Sequence, residues 1–300
     1  MKRLLAMLLL MALAVSCAFA EGAAAPGPEG SALEFDAPVN ELTEDFEEAG
    51  GEGEVLPLEA REAAHESDAL PAGVEFFAPD DLEKCIIGTD DRVRVKNTKQ
   101  YPYCAIANMK VTGTCKCKWE CTGFMVGKKW LMTAAHCMVC AEHGKWAKNV
   151  TFYFGYQNSK NYLYKYTGKW TAWAGTLFPN GYSAGMEDDY CFVRLEKNVG
   201  DKTGWFGMSF PSEIELNGSR YTVAGYRSNA LKYSRGTAAA LSGKLMTYTA
   251  DDKPGNSGGP IFTSDYYAVG IIAAENNVRK VNYGRRLTRS IYDEMLDAGY

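Results

Sequence analysis

Pro254-Gly255-Asn256-Ser257-Gly258-Gly259-Pro260 is the stretch on which the reading of this 300-residue chain turns. A serine framed by glycines can sit on a tight turn, because glycine adopts backbone angles that other residues avoid. Such a turn leaves N–H groups open, and open N–H groups can hold a developing negative charge. Taken alone, the segment is equally compatible with an ordinary glycine-rich loop. A serine hydroxyl is a weak nucleophile until an imidazole takes its proton, so a nucleophilic Ser257 would need one of the chain's histidines.

There are three of them, His65, His136 and His143. His65 lies in an acidic segment, which leaves two in the body of the chain. His136 sits in Thr133-Ala134-Ala135-His136-Cys137, after the apolar run Trp130-Leu131-Met132 and among small residues that permit close packing. A carboxylate that orients the ring and stabilises its protonated form would complete the set. Asp188-Asp189-Tyr190-Cys191-Phe192-Val193-Arg194-Leu195 offers one at the mouth of an apolar strand. Asp189 fits better than Asp188, because the alternating strand starts immediately after it. The chain order His136, Asp189, Ser257 is that of chymotrypsin-like enzymes, not of subtilisins or α/β-hydrolases.

With Ile86-Ile87-Gly88-Thr89-Asp90-Asp91-Arg92, Tyr101-Pro102-Tyr103, Cys121-Thr122-Gly123 and Gly225-Tyr226, these motifs resemble the trypsin/chymotrypsin superfamily of serine proteases, in its bacterial glutamyl endopeptidase branch. The resemblance covers roughly residues 85–300. It implies an all-β chymotrypsin-like fold: two antiparallel Greek-key barrels, at about 85–197 and 198–286, with the catalytic residues in the cleft between them and a C-terminal helix at about 287–298. The residues agree. Stretches 150–156, 190–195, 221–225 and 268–273 are rich in strand formers bounded by turn residues. Ile291, Met295 and Leu296 fall at helical spacing. The expected roles are Ser257 as nucleophile, His136 as general base and then acid, Asp189 as its orienting partner, and the N–H groups of Gly255 and Ser257 as the oxyanion hole.

The specificity residues depart from the branch. Its members resemble one another in placing a histidine on the strand that matches Val269-Gly270-Ile271-Ile272-Ala273-Ala274, where it binds a substrate carboxylate. Here the matched position is Ile272, and no histidine follows His143. Asp251 lies six residues before Ser257, where trypsin places its pocket carboxylate, and Asp252 stands beside it. The expectation is a pocket that favours Lys or Arg over Glu. Trypsin also carries an Asp just before its nucleophile to pair with the new amino terminus. Asn256 is neutral, so that ion pair is not expected here.

Ahead of this domain the composition changes. Lys2 and Arg3, an apolar run over 4–15 and Ala18-Phe19-Ala20 read as a secretory signal peptide over 1–20. Residues 21–84 hold 19 acidic and two basic residues, against 18 and 28 in 85–300. Such a segment buries too little apolar surface to order itself. It reads as a disordered or loosely structured propeptide, attracted to a basic domain by opposite charge. Processing is expected between Lys84 and Cys85. Cleavage there keeps eight cysteines in the enzyme, and an even count in an exported chain favours disulfides. Cys121 and Cys137 are the expected pair, bridging the base of the histidine loop. The pattern Cys115-x-Cys117 and Cys137-x-x-Cys140 lacks the usual paired metal spacing, so no metal or other cofactor is expected. The expected partners are protein or peptide substrates and the chain's own propeptide. A membrane anchor and nucleic acid are not expected, since no span or recognition motif accompanies the charge. The sequence suggests a secreted monomer, with a catalytically silent binding protein on the same fold as the alternative.

Overall fold

The computed structural model describes residues 51–57, 86–140, 143–175, 186–276 and 281–300. Strands dominate, as the alternating pattern requires. The first half contains β1 (Gly51–Pro57), β2 (Val93–Arg94), β3 (Ile106–Gly113), β4 (Lys118–Met125), β5 (Trp130–Thr133), β6 (Ala147–Phe154), β7 (Tyr164–Tyr166), β8 (Trp170–Ala174) and β9 (Cys191–Leu195). The helix α1 (Gly200–Thr203), strand β10 (Gly207–Met208) and helix α2 (Glu213–Leu216) lead into the second half. That half holds β11 (Arg220–Arg227), β12 (Ala230–Ala240), β13 (Leu245–Tyr248), β14 (Pro260–Phe262), β15 (Tyr267–Asn276) and β16 (Val281–Arg286), before the terminal helix α3 (Arg289–Asp297).

Two closed barrels result. The first runs β1-β8-β9-β5-β4-β3-β6 and closes where β1 pairs with β6, with β7 outside on β6. The second runs β15-β14-β11-β12-β13-β16 and closes through β15 and β16, with β10 and β2 as added edges. Met109, Val111, Leu131, Phe152, Phe154, Val193 and Leu195 fill the first barrel. Tyr221, Val223, Met246, Tyr248, Ile261, Val269 and Ile272 fill the second. Each such side chain contributes about 1.5–3 kcal/mol by leaving water. Helix α3 reaches across to the first barrel's cluster with Ile291 and Met295. Tyr190 Oη donates to Glu294 Oε2 at 2.7 Å and helps to hold it. Among the described residues, no helix is long and apolar enough to cross a membrane.

One expectation is corrected here. The acidic segment 21–84 was expected to be disordered or loose throughout, yet residues 51–57 form β1, a strand of the first barrel. It runs parallel to β8, with Gly53 opposite Trp170, and antiparallel to β6, with Gly51 opposite Val150. Trp170 Nε1–H donates to Gly51 O at 2.7 Å. Composition hid this because main-chain pairing needs no apolar side chain, and Glu52 and Glu54 simply point into solvent. Glycine is required by proximity: a Cβ on Gly53 would run into the Trp170 ring. The proposed signal peptide and the Lys84–Cys85 processing site lie outside the described residues.

Candidate active site

Neighbouring strands deliver the first two residues. β5 and β9 are antiparallel, with Thr133 opposite Cys191. His136 follows β5 in a short 3-10 turn, and Asp189 precedes β9. The backbone N–H of His136 donates to Asp189 Oδ1 at 3.0 Å, and its Nδ1 lies 2.7 Å from Asp189 Oδ2. A carboxylate only accepts, so Nδ1 carries the proton and Nε2 is the basic nitrogen of the neutral ring. Asp189 is fully buried. Burial works against an imidazolium at His136, but Asp189 and Cys137 together outweigh it and hold the ring's pKa well above the ordinary 6.5.

Ser257 lies between β13 and β14 and is pressed against the histidine turn. Its carbonyl accepts from Thr122 N–H at 3.0 Å and from the Cys137 thiol at 3.3 Å. Thr122 Oγ1 donates to Gly255 O at 2.9 Å and accepts from Tyr226 N–H at 2.9 Å. Thr133 Oγ1 in turn donates to Thr122 O at 2.7 Å. The serine loop of the second barrel is therefore fastened to the first barrel one residue away from His136. Gly258 has φ +82°, and a Cβ there would strike Thr122 O and Thr133 Oγ1. Asn256, Gly258 and Gly259 donate their N–H groups to Lys253, Ile272 and Asn256 carbonyls. Among the described residues, no acceptor takes the N–H of Gly255 or Ser257. Thr122 and Thr133 were missed as functional residues from sequence. Thr122 is part of Cys121-Thr122-Gly123, but its hydroxyl has a task only once the second barrel is docked.

The expected specificity residues are corrected. Asp251 does not stand open to a substrate: its Oδ1 and Oδ2 accept from Ile87 N–H and Asp91 N–H, both at 2.8 Å. It anchors the segment ahead of β2. Asp252 is fully buried and accepts from Tyr248 Oη at 2.9 Å and from Lys253 N–H at 2.7 Å. Burial raises its pKa from 3.8 to about 6, against these hydrogen bonds. Ile272 is fully buried in the second barrel's core, where it backs the serine loop and offers no group to bind a carboxylate. Instead, Arg227 lies beside the loop. Its Cα and Cβ are 3.5 Å from where a Cβ on Gly255 would stand, and its Nη1 is buried with no hydrogen-bond partner among the described residues.

The cysteines divide into three kinds, and all seven described ones are thiols. Cys104 and Cys191 are buried singly, and burial pushes the Cys104 thiol up to about 12. Neither is in a disulfide in this structure, although the even cysteine count favours disulfides. Cys121 and Cys137 interact through their side chains but are not bridged in this structure. Cys137, grouped with Cys140 by spacing, instead turns toward Ser257. Cys115, Cys117 and Cys140 gather with His143.

A family model described as the trypsin-like peptidase domain matches residues 121–271, which include His136, Asp189 and Ser257. The chain is 30% identical over 229 residues to a glutamyl endopeptidase of Bacillus licheniformis, covering 71% of this chain and 68% of that protein. It is 27% identical over 222 residues to an extracellular metalloprotease of Bacillus subtilis, covering 70% and 68%. A solved Glu endopeptidase in complex with MPD shares the fold, with TM-score 0.59 and 22% identity over 71% of this chain and 98% of that one. The chain belongs to the trypsin-like serine endopeptidases, in their glutamyl endopeptidase-like branch.

Proposed function

We propose that the chain is an exported serine endopeptidase made as a zymogen, and that Ser257, His136 and Asp189 form its catalytic triad. The observation that carries this is the seam between the barrels, where a serine loop is tied one residue away from an Asp-held imidazole. Ser257 attacks the peptide carbonyl, His136 Nε2 takes its proton and then gives it to the leaving amine, and Asp189 stabilises the imidazolium. The oxyanion faces the N–H groups of Gly255 and Ser257, which have no acceptor among the described residues. Because Asp189 raises the His136 pKa and the base must be neutral, activity should rise with pH along a limb above 6.5. Export is supported by the signal-like first 20 residues and by the B. subtilis relative being named extracellular.

The buried ties of Asp251 remove the basis for a Lys or Arg preference. Arg227 favours an acidic side chain close to the scissile bond, since a guanidinium with a buried N–H that meets no acceptor among the described residues gains most from a carboxylate. This suits the 30% identity to a glutamyl endopeptidase while using another residue than a histidine. The test is a peptide-library profile of the matured enzyme, run with Ser257→Ala as blank and Arg227→Gln as variant. Glu or Asp near the cut should be preferred, and Arg227→Gln should reduce that preference about tenfold. A profile indifferent to acidic residues would remove the specificity reading. Cleavage by Ser257→Ala would remove the triad.

A further inference from the structure

We infer that Cys115, Cys117, Cys140 and His143 form a structural zinc site that clamps the loop carrying His136. One ligand atom from each lies within 4.8 Å of all the others. His143 Nδ1 is 3.3 Å from Cys117 Sγ and 3.7 Å from Cys140 Sγ. Tetrahedral zinc with Zn–S near 2.3 Å and Zn–N near 2.05 Å needs ligand–ligand edges of about 3.5–3.8 Å, so the two measured edges need only small adjustments. Three thiolates and one imidazole close the coordination shell, which is the arrangement of a structural rather than a catalytic zinc.

The backbone prepares the site from two sides. The turn joining β3 to β4 presents Cys115 and Cys117. It is held by Gly113 N–H to Cys117 O and Lys116 N–H to Gly113 O, both at 2.9 Å, with Lys116 at φ +69°. The opposing turn presents Cys140 and His143. Cys140 N–H donates to Lys145 O at 2.7 Å and Gly144 N–H to Cys140 O at 2.8 Å. Thr114 N–H to Trp146 O, at 3.0 Å, ties the two turns together. Zinc bound by three thiolates carries one net negative charge, and Lys116, Lys118 and Lys145 flank the ligands in sequence.

Disulfide pairing suits these residues less well. Three sulfurs cannot pair evenly, and among the described residues the other cysteines lie elsewhere: Cys121 is against Cys137, while Cys104 and Cys191 are buried in the core. The site also has a consequence for the chemistry. Cys140 stands four residues after His136, and Trp119 Nε1–H, just beyond Cys117, donates to Cys137 O at 2.9 Å. Zinc would fix the far end of the histidine turn against β4, as Asp189 fixes the near end.

The test uses the full-length chain carrying Ser257→Ala, which prevents self-digestion, produced with zinc and purified without chelator. Elemental analysis should give about one zinc per chain. Cobalt replacing zinc should show sulfur-to-cobalt charge-transfer absorption and tetrahedral d–d bands. Cys140→Ser and His143→Ala should lower zinc content about tenfold or more at micromolar free zinc, whereas Cys104→Ser should leave it unchanged. If a ligand variant does not fold, the cobalt spectrum of the parent chain decides alone. A metal-free protein whose mass and thiol titration show a disulfide among Cys115, Cys117 and Cys140 would overturn the assignment. So would a cobalt spectrum without thiolate bands.

Discussion

The two barrels close in different ways. The second is self-sufficient: β15 and β16 are consecutive strands, and their pairing completes the ring. The first is completed by β1, a strand from a segment whose charge and composition set it apart from the domain. The first barrel holds the Asp–His pair and the cluster of three cysteines with His143, while the second holds the serine loop. Each therefore supplies a part that does nothing alone, and Thr122 and the Cys137 thiol join them. The barrel with the more demanding geometry, two residues locked at 2.7 Å, is also the one completed by a distant stretch of chain.

The largest effect should come from breaking the first barrel's contribution. Asp189→Asn keeps the shape but cannot hold Nδ1–H as a carboxylate does, so kcat should fall about 10⁴-fold with the fold intact by circular dichroism. A loss below tenfold would mean that the pair is structural. A second substitution probes the other barrel through pH. Asp252 has a folded pKa of about 6 against an ordinary 3.8, so the native state binds more protons between those values. The contribution of Asp252 to stability should then fall as pH rises from about 4 to 6, by roughly 3 kcal/mol in all. In Asp252→Asn, urea melts in the Ser257→Ala background should lose that slope; an unchanged slope would contradict the assignment.

Gly53→Val tests the borrowed strand. Its side chain would displace β1 from Trp170, costing about 1–3 kcal/mol. Hydrogen exchange should quicken in β6 and β8 while β11–β16 stay protected; uniform quickening would mean that the barrels unfold as one unit. The smallest change expected is for Thr122→Val. It removes the hydroxyl linking Tyr226 N–H to Gly255 O, so kcat should fall about tenfold with little change in KM. A rise in KM alone would place Thr122 in substrate binding instead.

The catalytic candidates were legible because their chemistry leaves local marks: a serine among glycines, a histidine after a buried strand, an aspartate opening another. Strand stretches such as 190–195 and the terminal helix were legible from periodicity. What sequence could not give were long-range pairings. Asp251 has trypsin-like spacing from Ser257, yet its partners Ile87 and Asp91 lie 160 or more residues away. Residues 51–57 take their place through main-chain pairing with β6 and β8, which lie about 100 residues further along the chain. The cysteine cluster draws Cys115 and Cys117 from one turn and Cys140 and His143 from another, so neither half shows a complete metal motif.

The central claim is that folding makes the Ser257 hydroxyl, and no other, a nucleophile through His136 and Asp189. Treating the matured protein with a peptidyl phosphonate and mapping the adduct by mass spectrometry tests this most directly. A single adduct on Ser257, absent in Ser257→Ala and strongly slowed in Asp189→Asn, is the expected result. Labelling that persists in Ser257→Ala, or an intact protein that never reacts, would contradict it.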